Sequence, residues 1–568
     1  MIKRYLSLLI ILFLLLSGLV PLNKEQVVEA QERLDPTIIS DLTIPGVVFI
    51  VTIIEAILRI PTTDDQGNPT NEYIEVQVTD GGVGSGFFVN NDGYIVTNGH
   101  VVMAFTHTDY TEDIIVKRRL AELAAMEIVN RQREPVPPDA VQALIQYIER
   151  NGEIKDAIRV VLVIVGESTG GKIRQDGIQA RVVGNPEPFF GRDLAVIKIE
   201  ATNTPSLPLS EVEEIQPGQT VFAFGYPGVV NFHELLSEDT RLFPSMTSGI
   251  VGGLRKTAFD VPAVQMDADI VKGNSGGPVL NDRGEVIGVA NMGSLGEDLQ
   301  PVAGFNFFIP LSVLKQYLNE LNVQYNTRGP VDQLWYEGVG LYYAGLYSRA
   351  KQVFEQVRTL YPFNWYATTM IQRAQGKISE GIKVDATLEI SANATQVSQG
   401  EAVEITGTLS FNGDNPLGID ISFKDVLIDV NIQVGGEVDT RSVRVGDDNT
   451  FRFIYEPTSS GEVVITAKWI GDEDFNPVEQ SLTIVVAAPE LPIWMFAIPV
   501  LAIAAIGIYY VYNKGVLRQR GRTLGGFGAR PRQEVRVGGD VVYCPNCGSA
   551  NKPTAKFCVQ CGMRLEGG

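Results

Sequence analysis

Residues 272–278 read Lys-Gly-Asn-Ser-Gly-Gly-Pro and set one serine, Ser275, among glycines. A serine hydroxyl is a poor nucleophile at neutral pH, so it needs an imidazole to take its proton and a carboxylate to orient that imidazole. His100 and Asp193 lie upstream. The glycines suit a tight turn that exposes the nucleophile and directs backbone N–H groups at a developing oxyanion. The stretch therefore predicts a nucleophilic serine with His100 as its base and Asp193 as the orienting acid.

Longer motifs surround these three residues. Residues 84–102 contain Gly-Ser-Gly-Phe-Phe-Val and Thr-Asn-Gly-His, and residues 193–199 read Asp-Leu-Ala-Val-Ile-Lys-Ile. Residues 267–278 end in the stretch 272–278 that carries Ser275, which we call the serine turn. The chain order His, Asp, Ser is the chymotrypsin order. Together these segments resemble the trypsin-like serine proteases of the HtrA/Deg type over about residues 46–325. The resemblance implies a mainly β, chymotrypsin-like fold of two six-stranded antiparallel barrels with the catalytic cleft between them.

The resemblance also assigns roles. Ser275 would attack the peptide carbonyl, His100 would act as general base and then general acid, and Asp193 would orient His100. The backbone N–H groups of Gly273 and Ser275 would form the oxyanion hole. The substrate would lie as an added strand along Val289–Gly293.

Asp269 is a candidate for the specificity pocket. It lies six residues before Ser275, at the position that forms the base of the pocket in trypsin. A buried carboxylate there would favour Lys or Arg side chains of the substrate. HtrA-type pockets differ and prefer small aliphatic residues, with Asp269 then pointing elsewhere, and the resemblance favours this second alternative.

The composition limits the class of protein. The chain has 568 residues, too many for one core, so several domains are expected. Apolar residues make up 45% and charged residues 20%, which is typical of folded domains. A net charge of −21 argues against a general nucleic-acid binder.

The two ends of the chain carry targeting signals. Lys3 and Arg4 precede an apolar run, and Val28-Glu29-Ala30 suits signal-peptidase cleavage, so residues 1–30 are interpreted as a signal peptide, with an uncleaved anchor as the alternative. The stretch Leu491–Tyr512 would reach about 33 Å as a helix and is predicted to span a membrane.

Charge around the predicted span suggests its orientation. The linker at 513–540 is rich in arginine, whereas acidic residues precede the span, so the linker is predicted to be cytoplasmic. The protease would then be extracytoplasmic in a single-pass membrane protein. All four cysteines follow the span, so no disulfide would stabilise the extracytoplasmic part.

Three further regions flank or interrupt the predicted protease. About residues 111–156 show two helical patterns and read as an insertion that either shields the cleft, binds a partner or assists oligomerisation, or is a surface decoration. Residues 331–380 resemble a tetratricopeptide (TPR) helical hairpin, and residues 384–487 alternate with a period of two and resemble an immunoglobulin-like β-sandwich. A PDZ domain, usual in HtrA-type proteases, is not recognised.

Residues 541–565 carry two Cys-x-x-Cys knuckles formed by Cys544, Cys547, Cys558 and Cys561. Four thiolates in this spacing are the closed tetrahedral site of structural Zn²⁺, and the segment is too short to fold on an apolar core of its own. The segment resembles a zinc ribbon. A redox pair is the alternative.

These features predict a membrane-anchored, extracytoplasmic serine endopeptidase that cleaves unfolded or damaged envelope or extracellular proteins, with no cofactor for catalysis. The alternative is a catalytically latent signalling or adhesion protein that uses the protease fold, the sandwich and the ribbon for binding. Polypeptides are the expected substrates, a cytosolic protein is a candidate partner of the ribbon, and homo-oligomerisation is left open.

Overall fold

The computed structural model describes residues 33–105, 114–132, 135–169, 172–188, 191–228, 243–295, 301–488, 493–515, 542–544, 546–552 and 555–565. The predicted signal peptide and most of the basic linker lie outside these ranges. The chain divides into two compact units, residues 1–488 and residues 489–568, and each is described by itself.

The first barrel follows a short helix, α1 (Pro36–Thr43). Its strands are β1 (Val47–Thr63), β2 (Pro69–Phe88), β3 (Tyr94–Thr97), β4 (Glu153–Thr169), β5 (Lys172–Val183) and β6 (Ala195–Lys198). They close in the order β1-β2-β3-β6-β5-β4. Burial alternates along β1, as expected of a strand with one face in a core. Ile50, Phe88, Ile95 and Ile197 fill the interior.

The second barrel contains the strands β7 (Thr220–Gly225), β8 (Ser245–Lys256), β9 (Pro262–Met266), β10 (Pro278–Leu280), β11 (Val286–Leu295) and β12 (Pro301–Pro310). They close in the order β10-β11-β12-β9-β8-β7. Helix α4 (Leu311–Glu320) follows β12. The predicted mainly β, chymotrypsin-like double-barrel fold is confirmed.

Two helices occupy the predicted insertion, α2 (Ile114–Asn130) and α3 (Pro138–Asn151). They pack on the distal halves of β1 and β2, which pair with each other along nearly their whole length. This lobe has its own apolar core, which includes Leu58, Val76, Leu120 and Ile148. The insertion therefore extends the first barrel with a separately packed lobe.

Three helices follow the protease part, α5 (Pro330–Tyr343), α6 (Tyr347–Leu360) and α7 (Trp365–Ser379). Helices α5 and α6 approach closely, since a Cβ at Gly338 would lie 2.7 Å from the Phe354 ring. Their classification as a TPR-like unit stays a prediction.

A two-sheet β-sandwich occupies residues 386–487. One sheet contains β13 (Ala386–Ala392), β15 (Val403–Phe411) and β18 (Thr450–Tyr455). The other sheet contains β14 (Gln396–Ser398), β16 (Leu427–Val434), β17 (Glu437–Arg444), β19 (Gly461–Trp469) and β20 (Val478–Ala487). Its strands lie in the order β14-β20-β19-β16-β17. The immunoglobulin-like label stays a prediction.

The helices join the protease to the sandwich through one continuous core. The buried Asp41 of α1 accepts hydrogen bonds from Tyr343 and Tyr366 and pairs with Arg373 at 3.1 Å. At the sandwich, the carboxylate of Asp474 accepts hydrogen bonds from the backbone N–H groups of Ser348 and Arg349 in the first turn of α6. Both sets of contacts bury a carboxylate against the helices, so the three parts pack as one unit.

The second unit contains α8 (Ile493–Gly515), β21 (Val542–Tyr543) and β22 (Ala550–Asn551). A bilayer crossing needs about 20 consecutive apolar residues in a helix. In the described part of the chain, no helix is both long and apolar enough for such a crossing. The predicted membrane span at Leu491–Tyr512, and the single-pass topology built on it, are not supported.

Candidate active site

His100 and Asp193 lie in direct contact. His100 belongs to the 3₁₀ segment after β3, and Asp193 lies just before β6. The His100 Nδ1 atom is 2.8 Å from Asp193 Oδ2, and the His100 backbone N–H donates to Oδ1 at 2.8 Å. The carboxylate is 1% exposed and the imidazole 31%, so the acid is buried while the ring reaches solvent. This arrangement suits an acid that orients a base.

The backbone of Asp193 is in the left-handed region, with φ of 53°. Aspartate and asparagine tolerate this region better than most residues. Its carbonyl accepts a hydrogen bond from the Asn98 side chain at 2.9 Å. Asn98 thus ties the acid to the segment that carries His100, a contact that the sequence motif did not reveal.

Ser275 lies on a turn in which the carbonyl groups of residues 272–275 each accept a hydrogen bond. The carbonyl of Lys272 accepts from Gly228 N–H at 2.8 Å, and that of Asn274 accepts from Gly277 N–H at 3.0 Å. The carbonyl of Ser275 accepts from the Ser85 N–H at 2.8 Å. The carbonyl of Gly273 accepts from the Ser85 hydroxyl at 2.7 Å.

Two N–H groups of the same turn donate no hydrogen bond within the described part of the chain. The N–H groups of Asn274, Gly276 and Gly277 each donate to a backbone carbonyl. Those of Gly273 and Ser275 have no acceptor among the described residues. Two unpaired donors separated by one residue are what a developing oxyanion requires. They belong to the residues from which the sequence predicted the oxyanion hole.

The conformation of Gly273 requires glycine. Its φ is 106°, and a Cβ there would lie 2.3 Å from the Tyr226 carbonyl oxygen. Gly276, with φ of 87°, lets the turn approach the first barrel, because a Cβ would lie 2.3 Å from the Thr97 hydroxyl. The serine turn therefore packs against the residues that lead into His100.

The Ser275 hydroxyl donates to the backbone carbonyl of Asn291 at 2.9 Å. A hydroxyl has one proton, and here that proton points to Asn291. Transfer of the proton to His100 therefore requires the O–H bond of Ser275 to turn away from this carbonyl. Sequence reasoning missed this resting contact, because nothing in the motif relates Asn291 to the serine.

Asp269 does not form the base of a buried pocket. The residue is exposed, and its carbonyl accepts a hydrogen bond from the Thr247 hydroxyl at 3.0 Å. A carboxylate that selects Lys or Arg in a desolvated pocket would have to be buried. The exposed Asp269 does not meet this condition.

The predicted substrate strand lies in β11. From Val286 to Val289 this strand pairs with β10, and towards Leu295 it pairs only with β12 among the described residues. One backbone edge therefore opens beside the serine turn, where Ala290 exchanges two hydrogen bonds with Gly276 and Gly277. An extended peptide could add to this edge.

The four cysteines of the second unit converge. Their Sγ atoms lie within 4.8 Å of one another, and two Sγ pairs, Cys544 with Cys561 and Cys547 with Cys558, are 3.5 Å apart. A tetrahedral zinc with Zn–S bonds of about 2.3 Å places its thiolates about 3.8 Å apart. The donor set and its spacing fit Zn²⁺.

Comparison with known families agrees with both sites. Residues 84–289 match the trypsin-like peptidase domain. Residues 543–565 match a zinc-ribbon domain. The first match contains His100, Asp193 and Ser275, and the second contains the four cysteines.

Curated relatives are similar to the protease part. A probable periplasmic serine endoprotease DegP-like of Halomonas elongata is 28% identical over 242 residues, which cover 42% of this chain and 35% of the relative. Serine protease HTRA1 of Xenopus laevis is 29% identical over 252 residues, 41% of this chain and 50% of the relative. The putative serine protease HhoB of Synechocystis is 32% identical over 169 residues, 28% of this chain and 36% of the relative.

The chain spans between about a third and a half of the length of these relatives. A solved structure of the HtrA-type protease AlgW with a decapeptide is 18% identical in sequence, with a TM-score of 0.31. The match covers 51% of this chain and 68% of the AlgW chain. The family match and the named endoproteases confirm the predicted class, a serine endopeptidase, for the protease part.

Proposed function

We propose that this chain is an extracytoplasmic serine endopeptidase that cleaves unfolded or damaged proteins. The observation that carries the proposal is the serine turn, in which the carbonyls of residues 272–275 are all engaged while the N–H groups of Gly273 and Ser275 have no acceptor within the described part. Unpaired N–H groups destabilise a fold, so a protein that only binds a partner gains nothing from leaving the N–H groups of Gly273 and Ser275 without acceptors.

In the proposed reaction, the Ser275 hydroxyl turns from Asn291 to His100 and attacks the peptide carbonyl carbon. His100 takes the hydroxyl proton as the new C–O bond forms, and it then gives the proton to the leaving amine as the C–N bond breaks. The buried Asp193 keeps Nδ1 protonated and stabilises the imidazolium. A water molecule, activated by His100 in the same way, hydrolyses the acyl-enzyme.

The oxyanion of each tetrahedral intermediate would accept hydrogen bonds from Gly273 and Ser275. Donors that are already oriented need no reorganisation during the reaction, so they stabilise the transition state more than the bound substrate. Each such donor contributes roughly a factor of 10² to 10³ in rate.

The open edge of β11 suits an extended polypeptide. Backbone hydrogen bonds to a strand edge do not depend on side-chain identity, and unfolded chains expose the extended backbone that such an edge needs. The exposed Asp269 leaves small aliphatic residues as the proposed preference before the cut.

An extracytoplasmic location is supported by the leader-like residues 1–30 and by the relatives whose names describe periplasmic endoproteases. In the second unit, Cys544, Cys547, Cys558 and Cys561 would hold Zn²⁺, which would supply folding energy rather than catalysis. We propose a protein, rather than a nucleic acid, as the ribbon's partner because the chain as a whole is strongly acidic, although the linker before the ribbon is rich in arginine.

Cleavage of a reduced and alkylated model protein by the full-length chain tests the proposal. Wild type should cleave it, and Ser275→Ala should lose roughly six orders of magnitude in rate. Ser210→Ala is a control substitution, because Ser210 is buried and, among the described residues, its hydroxyl donates to Glu285 and accepts from the Val212 N–H. Equal cleavage rates for wild type and Ser275→Ala would contradict the proposal.

The second candidate function is a catalytically latent binding or signalling protein. The specific observation in its favour is the hydrogen bond that holds the Ser275 hydroxyl on Asn291. A fluorophosphonate probe, which reacts only with an activated serine, separates the two. Labelling of wild type but not of Ser275→Ala supports the endopeptidase, whereas no labelling of either supports the latent protein.

A further inference from the structure

Ser85 connects the two barrels at the serine turn. It lies on β2 of the first barrel and is fully buried. Its hydroxyl donates to the Gly273 carbonyl at 2.7 Å and accepts from the Tyr226 N–H at 2.9 Å. Its N–H donates to the Ser275 carbonyl at 2.8 Å. One residue of the first barrel thus holds the carbonyls of both residues whose N–H groups would bind the oxyanion.

These contacts hold the peptide groups that directly follow Gly273 and Ser275, the two residues whose N–H groups would bind the oxyanion. A peptide group is planar, so fixing its carbonyl fixes the N–H on its other side. The Gly228 N–H binds the Lys272 carbonyl and so holds the peptide that contains the Gly273 N–H. The Ser85 hydroxyl binds the Gly273 carbonyl and so holds the peptide between Gly273 and Asn274. Gly273 lies between these two planes, and as a glycine it has no side chain to resist rotation.

We propose that the Ser85 hydroxyl is a positioning group for the oxyanion hole, which keeps Gly273 in the conformation that presents its N–H to the reacting carbonyl. This inference rests on the proposed endopeptidase function and adds a residue to it. Ser85 touches no substrate and takes no proton, so it acts only through Gly273.

The side chain has to be both a donor and an acceptor in a small space. A hydroxyl fills both roles, whereas a methyl group fills neither. Space is limited because a Cβ on the neighbouring Gly225 would lie 3.0 Å from the Ser85 oxygen. In Ser85→Ala the Gly273 carbonyl and the Tyr226 N–H both lose this partner. Among the described residues, the peptide after Gly273 is then held only by the hydrogen bond from the Asn274 N–H to the Val271 carbonyl.

Steady-state kinetics of the full-length chain provide the first test. Ser85→Ala should lower kcat about 10- to 100-fold, less than the loss of an oxyanion donor itself, with KM within about twofold. Affinity for a peptide boronate, whose tetrahedral adduct places an oxygen in the hole, should fall by a similar factor. Ser210→Ala should change neither. Rates are taken per folded molecule, so a variant that only loses stability would keep kcat and would overturn the proposal.

An NMR measurement tests the positioning without relying on activity. Labelling with ¹³C-carbonyl lysine and ¹⁵N-glycine selects Lys-Gly pairs, and the sequence contains only Lys272-Gly273 and Lys514-Gly515. The Gly273 signal should shift or broaden in Ser85→Ala, while the Gly515 signal stays in place as an internal control. An unchanged Gly273 signal would overturn the inference. If wild type cleaves nothing but the Gly273 signal still responds, the proposed function fails and the positioning by Ser85 stands.

Discussion

Asp193 holds His100 at two points, with Oδ1 on the backbone N–H and Oδ2 on Nδ1, both at 2.8 Å. The first contact fixes the segment that carries the ring, and the second fixes the ring itself. One buried carboxylate therefore determines both where His100 lies and which ring nitrogen keeps its proton.

Asp193→Asn is expected to separate these two functions. Asparagine keeps one oxygen for the backbone N–H and tolerates the left-handed conformation, so the fold should survive. An amide group facing Nδ1 favours the wrong tautomer, so kcat should fall roughly 10⁴-fold near neutral pH with little change in KM. Kinetics with a peptide substrate measure this, and a loss below tenfold would argue against Asp193 as the orienting acid.

Gly273→Ala should abolish activity through the backbone. The added Cβ would meet the Tyr226 carbonyl oxygen at 2.3 Å in a conformation with φ of 106°. A left-handed alanine alone costs about 1 to 3 kcal/mol of stability, and the clash should also move the oxyanion N–H. We expect at least a 100-fold loss of kcat.

Gly218→Ala is the matched control for this change. Gly218 also has a positive φ, 89°, but a Cβ there would meet nothing within 4 Å. It should lose stability with unchanged kcat. If the two variants lost activity equally, backbone strain rather than the clash at the serine turn would explain the effect.

Asp332 is expected to give a pH-dependent contribution to stability. Burial raises the pKa of its carboxyl, although hydrogen bonds from Gly329 and Ser206 lower it. The folded protein then keeps a proton on Asp332 at pH values where the unfolded chain has lost it. The free energy of unfolding therefore falls as pH rises from the ordinary value of 3.8 through the raised pKa, and it stays lower above that range.

Urea unfolding of wild type and Asp332→Asn at pH values from about 3.5 to 7 measures this contribution. The difference in free energy, wild type minus variant, should be largest at the lowest pH and should decrease as pH rises. A constant difference for Asp332→Asn would contradict the raised pKa.

The cysteine cluster is expected to bind one zinc ion per chain. Cys544→Ser should reduce the bound metal, because three thiolates form an incomplete tetrahedral site. Metal analysis of the purified protein checks the stoichiometry, and Co²⁺ substitution reports tetrahedral thiolate ligation through its visible absorption. Val559→Ala, at an 83% exposed position between the ligands, should leave both unchanged. Full metal content in Cys544→Ser would contradict the four-cysteine site.

Local sequence determined the chemistry of the two candidate sites. The nucleophile, base, acid and zinc ligands could be named because each needs a particular residue type at a particular spacing, and such patterns are visible in one dimension. The period-two alternation and the paired helical patterns likewise indicated strands at 384–487 and helices at 111–156, where the structure contains such elements.

Only the tertiary structure showed how the serine turn is held. Ser85 and Gly273 are separated by 188 residues, and no pattern in the sequence marks a hydroxyl that meets a carbonyl at that separation. The same holds for Asn291, whose carbonyl accepts a hydrogen bond from the Ser275 hydroxyl, and for Asp41, which joins α1 to the helices after the protease. Residue identity and spacing determine which reaction a chain can catalyse, whereas hydrogen bonds between distant segments decide where the reacting groups point.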